Sequence, residues 1–254
     1  MINKIKKNHK IIIIIPARLR SSRLSKKLLR IIHGKPMIQR VAENAKNLGF
    51  KNVIVATDSN EIFNLCKRTK IKVIMSIKKH ESGTDRVYEA YELQTKKYDI
   101  IINLQGDLPL FDKKLFDGLI RLFDDDKVQI GTAVCNLENY EIEDENIVKA
   151  KVSLENNIGY VEDFKRKISS KLNYYHHIGV YAFRPKVLKK FVNLNQSNNE
   201  VKRKLEQLRA MDNNLKIKTV RIDYNPPSVD TINDLRKIRL IFKKKKSNLL
   251  KYEN

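Results

Sequence analysis

Four short stretches of the chain, Ile11–Ile15, Asn52–Ala56, Lys72–Met75 and Ile100–Leu104, read as strands that are apolar along their length rather than alternating. Strands of that kind are buried on both faces, which is a property of parallel sheets covered by helices. Between them, Met37–Leu48, Asn60–Arg68 and Thr84–Thr95 carry apolar residues at the spacing of one helix face. Strand, helix and strand in that order make βαβ units with right-handed crossovers. The alternation predicts an α/β fold with a mostly parallel sheet flanked by helices. Ligands of such sheets bind beyond the carboxyl ends of the strands, so the residues directly after each strand are the ones to inspect.

Past residue 130 the pattern changes. Ile130–Asn136, Val148–Leu154, Ile158–Phe164 and His177–Phe183 read as strands with no helix between them. They predict a small antiparallel extension over residues 130–200, a region expected to make dimer contacts. Glu200–Asp212 predicts one amphipathic helix, Lys216–Asp223 a further strand and Thr231–Phe242 a closing helix. Residues 243–254 read as a frayed basic tail. The 254 residues together suit one domain, with no repeat and no low-complexity linker.

The net charge of +23 raises nucleic acid as a partner. The bases are mostly lysine, 37 Lys against 15 Arg, in a chain also rich in Ile and Asn, as AT-rich codons produce. No aromatic-rich RNA motif or helix-turn-helix signal accompanies them, so most of the charge is assigned to a solvated surface. Cys66 and Cys135 match no metal or disulfide spacing and fall in apolar stretches, which predicts core positions and a reducing compartment. The longest apolar run, Ile11–Ile15, is far below the ~20 residues of a membrane span. Polar Arg18–Arg23 follows it where a signal peptide would continue apolar, so a cytoplasmic location is expected.

The segment after the first strand runs Pro16-Ala17-Arg18-Leu19-Arg20-Ser21-Ser22-Arg23-Leu24-Ser25-Lys26-Lys27. Arginine forks and ammonium groups suit phosphate oxygens, though a solvated basic loop has the same composition. The glycine spacing of a P-loop or a dinucleotide fingerprint is absent. Asp107 follows a strand in a Gln-Gly-Asp segment and Asp230 precedes the last helix. Such carboxylates suit Mg2+, while the alternatives are a turn at Asp107 and a helix cap at Asp230. Ser82-Gly83-Thr84-Asp85-Arg86 fits either a nucleotide contact or an ordinary helix cap.

Ile15-Pro16-Ala17-Arg18, Ser21-Ser22-Arg23-Leu24 and Gly34-Lys35-Pro36-Met37-Ile38 resemble the signature of the 3-deoxy-manno-octulosonate cytidylyltransferases. Ala56-Thr57-Asp58, Ser82–Arg86, Asn103–Pro109, His177–Tyr181, Leu205–Arg209 and Val229-Asp230-Thr231 continue the resemblance in order, over about residues 11 to 240. It implies a nucleotide-diphospho-sugar transferase-like, Rossmann-like fold in a homodimeric enzyme. The reaction implied is transfer of CMP from CTP to the eight-carbon acid Kdo (3-deoxy-D-manno-octulosonate), giving CMP-Kdo for lipopolysaccharide synthesis.

By the resemblance, Pro16, Ala17, Arg18, Ser22, Arg23, Lys27, Ser82, Gly83, Arg86 and Gln105 meet the nucleotide. Gln105, His177, Tyr181, Glu206 and Gln207 meet the sugar, with Glu206 and Gln207 placed mid-helix. Asp107 and Asp230 hold magnesium and, with Lys27, form the implied catalytic set. The family usually reads R-L-P-G-K-P where this chain has Arg23-Leu24-Ser25-Lys26-Lys27-Leu28, which keeps the lysine as Lys27 and loses the proline and glycine. The chain also departs at Gly159–Arg166, where Glu162 and Asp163 replace apolar or aromatic positions before a shortened loop. Strand alternation would put Glu162 with Phe164 and Asp163 with Lys165. New carboxylates there raise an amino-substituted Kdo, or another ulosonate, as the alternative acceptor.

Overall fold

The computed structural model describes residues 8–80 and 82–250, with side chains through residue 244. The chain gathers into two compact units, each built from separate pieces of sequence. The first comprises Ile13–Ala90, Leu104–Phe111 and Pro226–Asn254, and the second Met1–Ile12, Tyr91–Asn103 and Asp112–Asn225.

The first unit holds the βαβ pattern. Strand β1 (Ile11–Ala17) leads through an irregular basic loop and a 3-10 turn (Lys27–Leu29) to a small hairpin, β2 (Ile31–Ile32) and β3 (Lys35–Pro36). Both residues between those strands, His33 and Gly34, have positive φ, as the tightest hairpin loops require. Helix α1 (Met37–Asn47), β4 (Val53–Thr57), α2 (Asn60–Arg68), β5 (Val73–Met75) and α3 (Gly83–Glu92) follow. Strands β1, β4 and β5 pair in parallel, and every residue of β4 is buried. Ser59 caps α2 by accepting from the Ile62 amide.

The second unit is mixed. It contains β6 (Ile100–Asn103), α4 (Lys113–Arg121), β7 (Ile130–Cys135), β8 (Lys149–Val152), β9 (Ile158–Lys165), β10 (Tyr174–Phe183), α5 (Pro185–Val192), α6 (Asn198–Arg203), α7 (Leu208–Asp212) and β11 (Ile217–Arg221). The strand order is β6-β10-β7-β11-β9-β8, with β7 and β11 parallel and the other neighbours antiparallel. The chain closes with α8 (Ile232–Leu250) in the first unit, past the Phe242 expected as its end. Residues 251–254 of the expected basic tail lie outside the described residues.

Three sequence expectations are corrected. Residues 200–212 do not form one helix: Lys204 enters the left-handed region (φ 54) and ends α6, and helix resumes only at Leu208. The fold-back is held by a buried pair, Arg209 donating to Glu200 through Nε (2.9 Å) and Nη2 (2.6 Å). Glu206 and Gln207 therefore lie in the turn between two short helices and not mid-helix. Strand β9 also breaks alternation. The register slips where Val161 faces Val152 and Asp163 faces Lys151, leaving Glu162 as the extra residue of a bulge. Val161 and Phe164 are consequently both buried while Glu162 is exposed, so Glu162 and Phe164 do not share a face.

Helices α4 and α5 had no counterpart in the sequence reading. Asp112 caps α4, accepting from the Leu115 amide, and Pro185 opens α5.

Candidate active site

In the first unit, three sequence-distant segments converge on one ammonium group. Lys27 Nζ donates to Asp107 Oδ2 at 2.6 Å and to Asp230 Oδ1 at 2.9 Å, across 80 and 203 positions of sequence. Arg23 Nη2 adds a second cation 3.2 Å from Asp230 Oδ1. Backbone places these groups: the Val229 amide donates to Asp107 O at 2.9 Å, tying the two carboxylate-bearing turns together. Gly106 keeps the turn close to the basic loop, since a Cβ there would meet the Leu28 methyls at 3.2 Å.

The helix-cap alternative for Asp230 fails. Thr231 caps α8, its Oγ1 accepting from the Asp234 amide, and Asp234 in return accepts from the Asp230 and Thr231 amides. The Asp230 carboxylate is left for Lys27 and Arg23. Asp107 likewise directs its carboxylate to Lys27.

Burial pulls the Lys27 ammonium pKa down, but the charges of Asp107 and Asp230 and their hydrogen bonds outweigh it and hold it above its ordinary value. Lys27 therefore stays protonated at neutral pH and cannot serve as a general base. Its loop partners Arg18, Ser22 and Arg23 are exposed, available to a ligand from solvent. Lys26, where the family reads glycine, adopts the left-handed conformation (φ 49). Glu61 holds it there with contacts of 2.8 and 2.9 Å to Nζ.

At the start of α3, Ser82 and Asp85 cap each other: Ser82 Oγ accepts from the Asp85 amide and Asp85 Oδ2 from the Ser82 amide. Gly83 lies against Pro16, to which an added Cβ would sit at 3.5 Å. Arg86 is 2% exposed and directs its fork to Asp58 and to Ala17 O (3.3 Å), joining the ends of β1 and β4. Gln105 is half-buried just past β6.

Within the second unit, His177 and Tyr181 form a dry aromatic cluster on β10. The His177 ring stands edge-on to Phe164 (5.0 Å between centroids) and 5.3 Å from Tyr181. Thr132 Oγ1 donates to Val180 O at 2.9 Å, so it accepts from His177 Nε2 at 3.0 Å, which assigns the proton to that nitrogen. Burial pulls the His177 pKa down to about 3, with the nearby charge of His176 adding to it. The ring is neutral at every physiological pH. Tyr181 Oη is buried and makes no hydrogen bond among the described residues, and burial followed by the Glu206 carboxylate raises its pKa well above the ordinary value. Glu206 thus belongs electrostatically with Tyr181, and Gln207 beside it is half-buried. His176, next to His177 in sequence, pairs with buried Glu141 at 2.9 Å.

The protein-family model described as Cytidylyltransferase matches residues 12–217. A 3-deoxy-manno-octulosonate cytidylyltransferase from Bartonella henselae is 40% identical over 236 residues, covering 91% of this chain and 97% of that protein. The solved structure of CMP:2-keto-3-deoxy-manno-octonic acid synthetase complexed with CTP superposes with a TM-score of 0.83 at 35% identity, covering 93% of this chain and 99% of that one. The chain belongs to the 3-deoxy-manno-octulosonate cytidylyltransferase family. A UDP-glucose pyrophosphorylase complexed with UDP-glucose (TM-score 0.68, 14% identity, covering 93% of this chain and 99% of that one) shares the fold alone.

For a member of this cytidylyltransferase family, the expected residues divide between the two units. The basic loop, Ser82–Arg86, Gln105, Asp107 and Asp230 fall in the first, and His177, Tyr181, Glu206 and Gln207 in the second. Sequence reasoning gave no role to Asp58, Glu61 or Thr132. Asp58 was reachable, since it directly follows a strand, but the partners of Glu61 and Thr132 are too distant in sequence to leave a local signal.

Proposed function

We propose that this chain transfers CMP from CTP to Kdo, giving CMP-Kdo and pyrophosphate. The observation that carries the reading is the convergence of Lys27, Asp107 and Asp230 from three motif segments onto one point. Family membership supplies the reaction class: the relatives are named for this chemistry.

Exposed Arg18 and Arg23, with Lys27, present fixed positive charge to a triphosphate, and Ser22 adds a hydroxyl. Pro16 and Ala17 end β1 beside Gly83, so backbone groups at that edge are offered to the nucleoside along with Ser82 and Gln105. Arg86 supports this edge through Ala17 O and Asp58. In the second unit, Tyr181 Oη is a buried donor whose missing partner a sugar hydroxyl or carboxylate supplies, with His177, Glu206 and Gln207 around it.

Asp107 and Asp230 fit Mg2+, since their oxygens both lie within 3 Å of one atom and are hard donors. Two carboxylates, those of Asp107 and Asp230, are the protein's share in this reading. That suits an ion that keeps water and substrate phosphate as its other ligands. When bound it supplies charge neutralisation at the phosphates and a more acidic sugar hydroxyl.

In the transfer, the anomeric oxygen bonds to the α-phosphorus, the bond from that phosphorus to the bridging oxygen breaks, and the hydroxyl proton passes to solvent. Lys27 and the arginines hold the pyrophosphate as its charge grows, so catalysis rests on position and electrostatics.

The amino-sugar alternative loses its electrostatic ground. Glu162 is matched by Lys151 (3.1 Å) and Asp163 by Arg203 (2.6 Å), which leaves little net field for an ammonium group. A homodimer and a cytoplasmic location belong to the same proposal. Two buried free cysteines support a reducing compartment, and among the described residues no helix is long and apolar enough to cross a membrane. Light scattering tests the dimer. Pyrophosphate release with CTP and a panel of 2-keto sugar acids tests the activity: Kdo should give the highest kcat/KM. Release with another acid and none with Kdo contradicts the proposal.

A further inference from the structure

Residues 76–80 and 82, between β5 and α3, lie outside helix and strand, and Ile77 is 83% exposed. The loop is nonetheless pinned at three positions by one carboxylate of the first unit. The amides of Ile77 and Lys78 donate to Glu89 Oε1 at 3.0 and 3.1 Å, and His80 Nε2 lies 2.6 Å from Glu89 Oε2. Both side chains are sheltered, His80 at 7% and Glu89 at 12% exposure. Burial pushes the Glu89 carboxyl up, but the hydrogen bonds from His80, Lys78 and Ile77 outweigh it and hold the group below the usual carboxylate range.

The placement follows from helix geometry. Asp85 and Glu89 are one turn apart on one side of α3. Asp85 fixes Ser82 and Glu89 fixes the residues before it, so one helix controls the approach to Ser82 and Gly83.

We propose that Glu89, acting with His80, is a positioning residue for nucleotide binding, holding the 77–80 loop so that Ser82 and Gly83 are presented to CTP. The proposal rests on the reading of Ser82–Gly83 as a nucleotide contact. A loop already ordered in the free enzyme spares CTP the cost of ordering it. Lys27, Asp107 and Asp230 hold one another independently of Glu89, so the chemical step is untouched.

Steady-state kinetics with CTP and Kdo, beside thermal melts, test this in Glu89→Ala, Glu89→Gln, His80→Asn and Gly83→Val. In Glu89→Ala the KM for CTP should rise about tenfold, the equivalent of about 1.4 kcal/mol. Its kcat and its KM for Kdo should stay within about twofold. Glu89→Gln keeps an oxygen for the two amides and should rescue most of the loss. A purely structural role would lower the melting temperature and the apparent kcat while leaving both KM values alone. That result, or an equal rise in both KM values, overturns the proposal. If Glu89→Ala does not fold, an unchanged KM for CTP in His80→Asn overturns it equally. Gly83→Val tests the underlying contact by itself, because the free protein has room for a Cβ there. Weakened CTP binding in Gly83→Val with none in Glu89→Ala removes the positioning role and keeps the contact; weakened binding in Glu89→Ala with none in Gly83→Val removes the contact and overturns the proposal at its premise.

Discussion

The two units satisfy their polar groups in opposite ways. Around Lys27, each charge is met by an opposite charge at the edge of solvent, and the arginines of the same loop stay exposed. Around Tyr181, rings exclude water, His177 is kept neutral, and one hydroxyl is buried with no partner. The first arrangement is stable without ligand and suited to receiving more anionic charge. The second carries an unsatisfied donor that costs stability until a ligand accepts from it. The contrast predicts opposite consequences of removing a polar group in each place.

The largest effect belongs to the charged unit. Asp107→Asn removes a charge and almost no volume, and Lys27 retains Asp230 as a partner. We expect kcat to fall on the order of a thousandfold while stability changes by about 1 kcal/mol or less. An active, magnesium-dependent Asp107→Asn enzyme would end the assignment of that carboxylate to the metal.

Next in size are Arg18→Ala and Arg23→Ala. Each should weaken CTP binding by about 1.5–3 kcal/mol, the range of a charge-assisted contact, without affecting Kdo. Calorimetry showing unchanged CTP affinity in both would return the basic loop to a solvated surface.

A different effect separates the units by pH. His177 has a folded pKa of about 3 against 6.5 in the open chain. The unfolded state therefore binds the proton first, and stability is lost as pH falls from about 6.5 toward about 3, by up to about 1.4 kcal/mol per pH unit. Lys27 has the opposite sign. Its raised pKa gives a contribution fully present below its ordinary 10.5 and lost only as pH rises through the folded value. Denaturant midpoints of wild type and His177→Gln between pH 7 and 4 should converge as the pH falls. Parallel curves would mean that His177 is not held neutral.

Much of the first unit was legible because its local signals agree. Apolar runs gave β1, β4 and β5 to within a residue or two, and Asn60–Arg68 was read with the bounds that α2 has. The site segments stood out for the same reason, each lying after a strand or before a helix. What was illegible depends on contacts between distant residues. The apolar spacing over 200–212 continues through Lys204, so only the Glu200–Arg209 pair betrays the break. The bulge at Glu162 is set by register against β8, and Arg86 meets Asp58 from 28 positions away. Helix α4 carried a readable signal, Asp112 before Leu115, Phe116 and Leu119, within a run interrupted by Pro109 and Gly118.

The most direct test of the division of labour is a crossed measurement of both substrate KM values in Arg23→Ala and Tyr181→Phe. Arg23→Ala should raise the KM for CTP about tenfold or more with little change for Kdo. Tyr181→Phe should raise the KM for Kdo about fivefold and leave CTP alone, while the free protein becomes no less stable because a buried unpaired hydroxyl is gone. A Tyr181→Phe enzyme that is destabilised and shows an unchanged KM for Kdo, or two variants that weaken both substrates alike, would contradict the account.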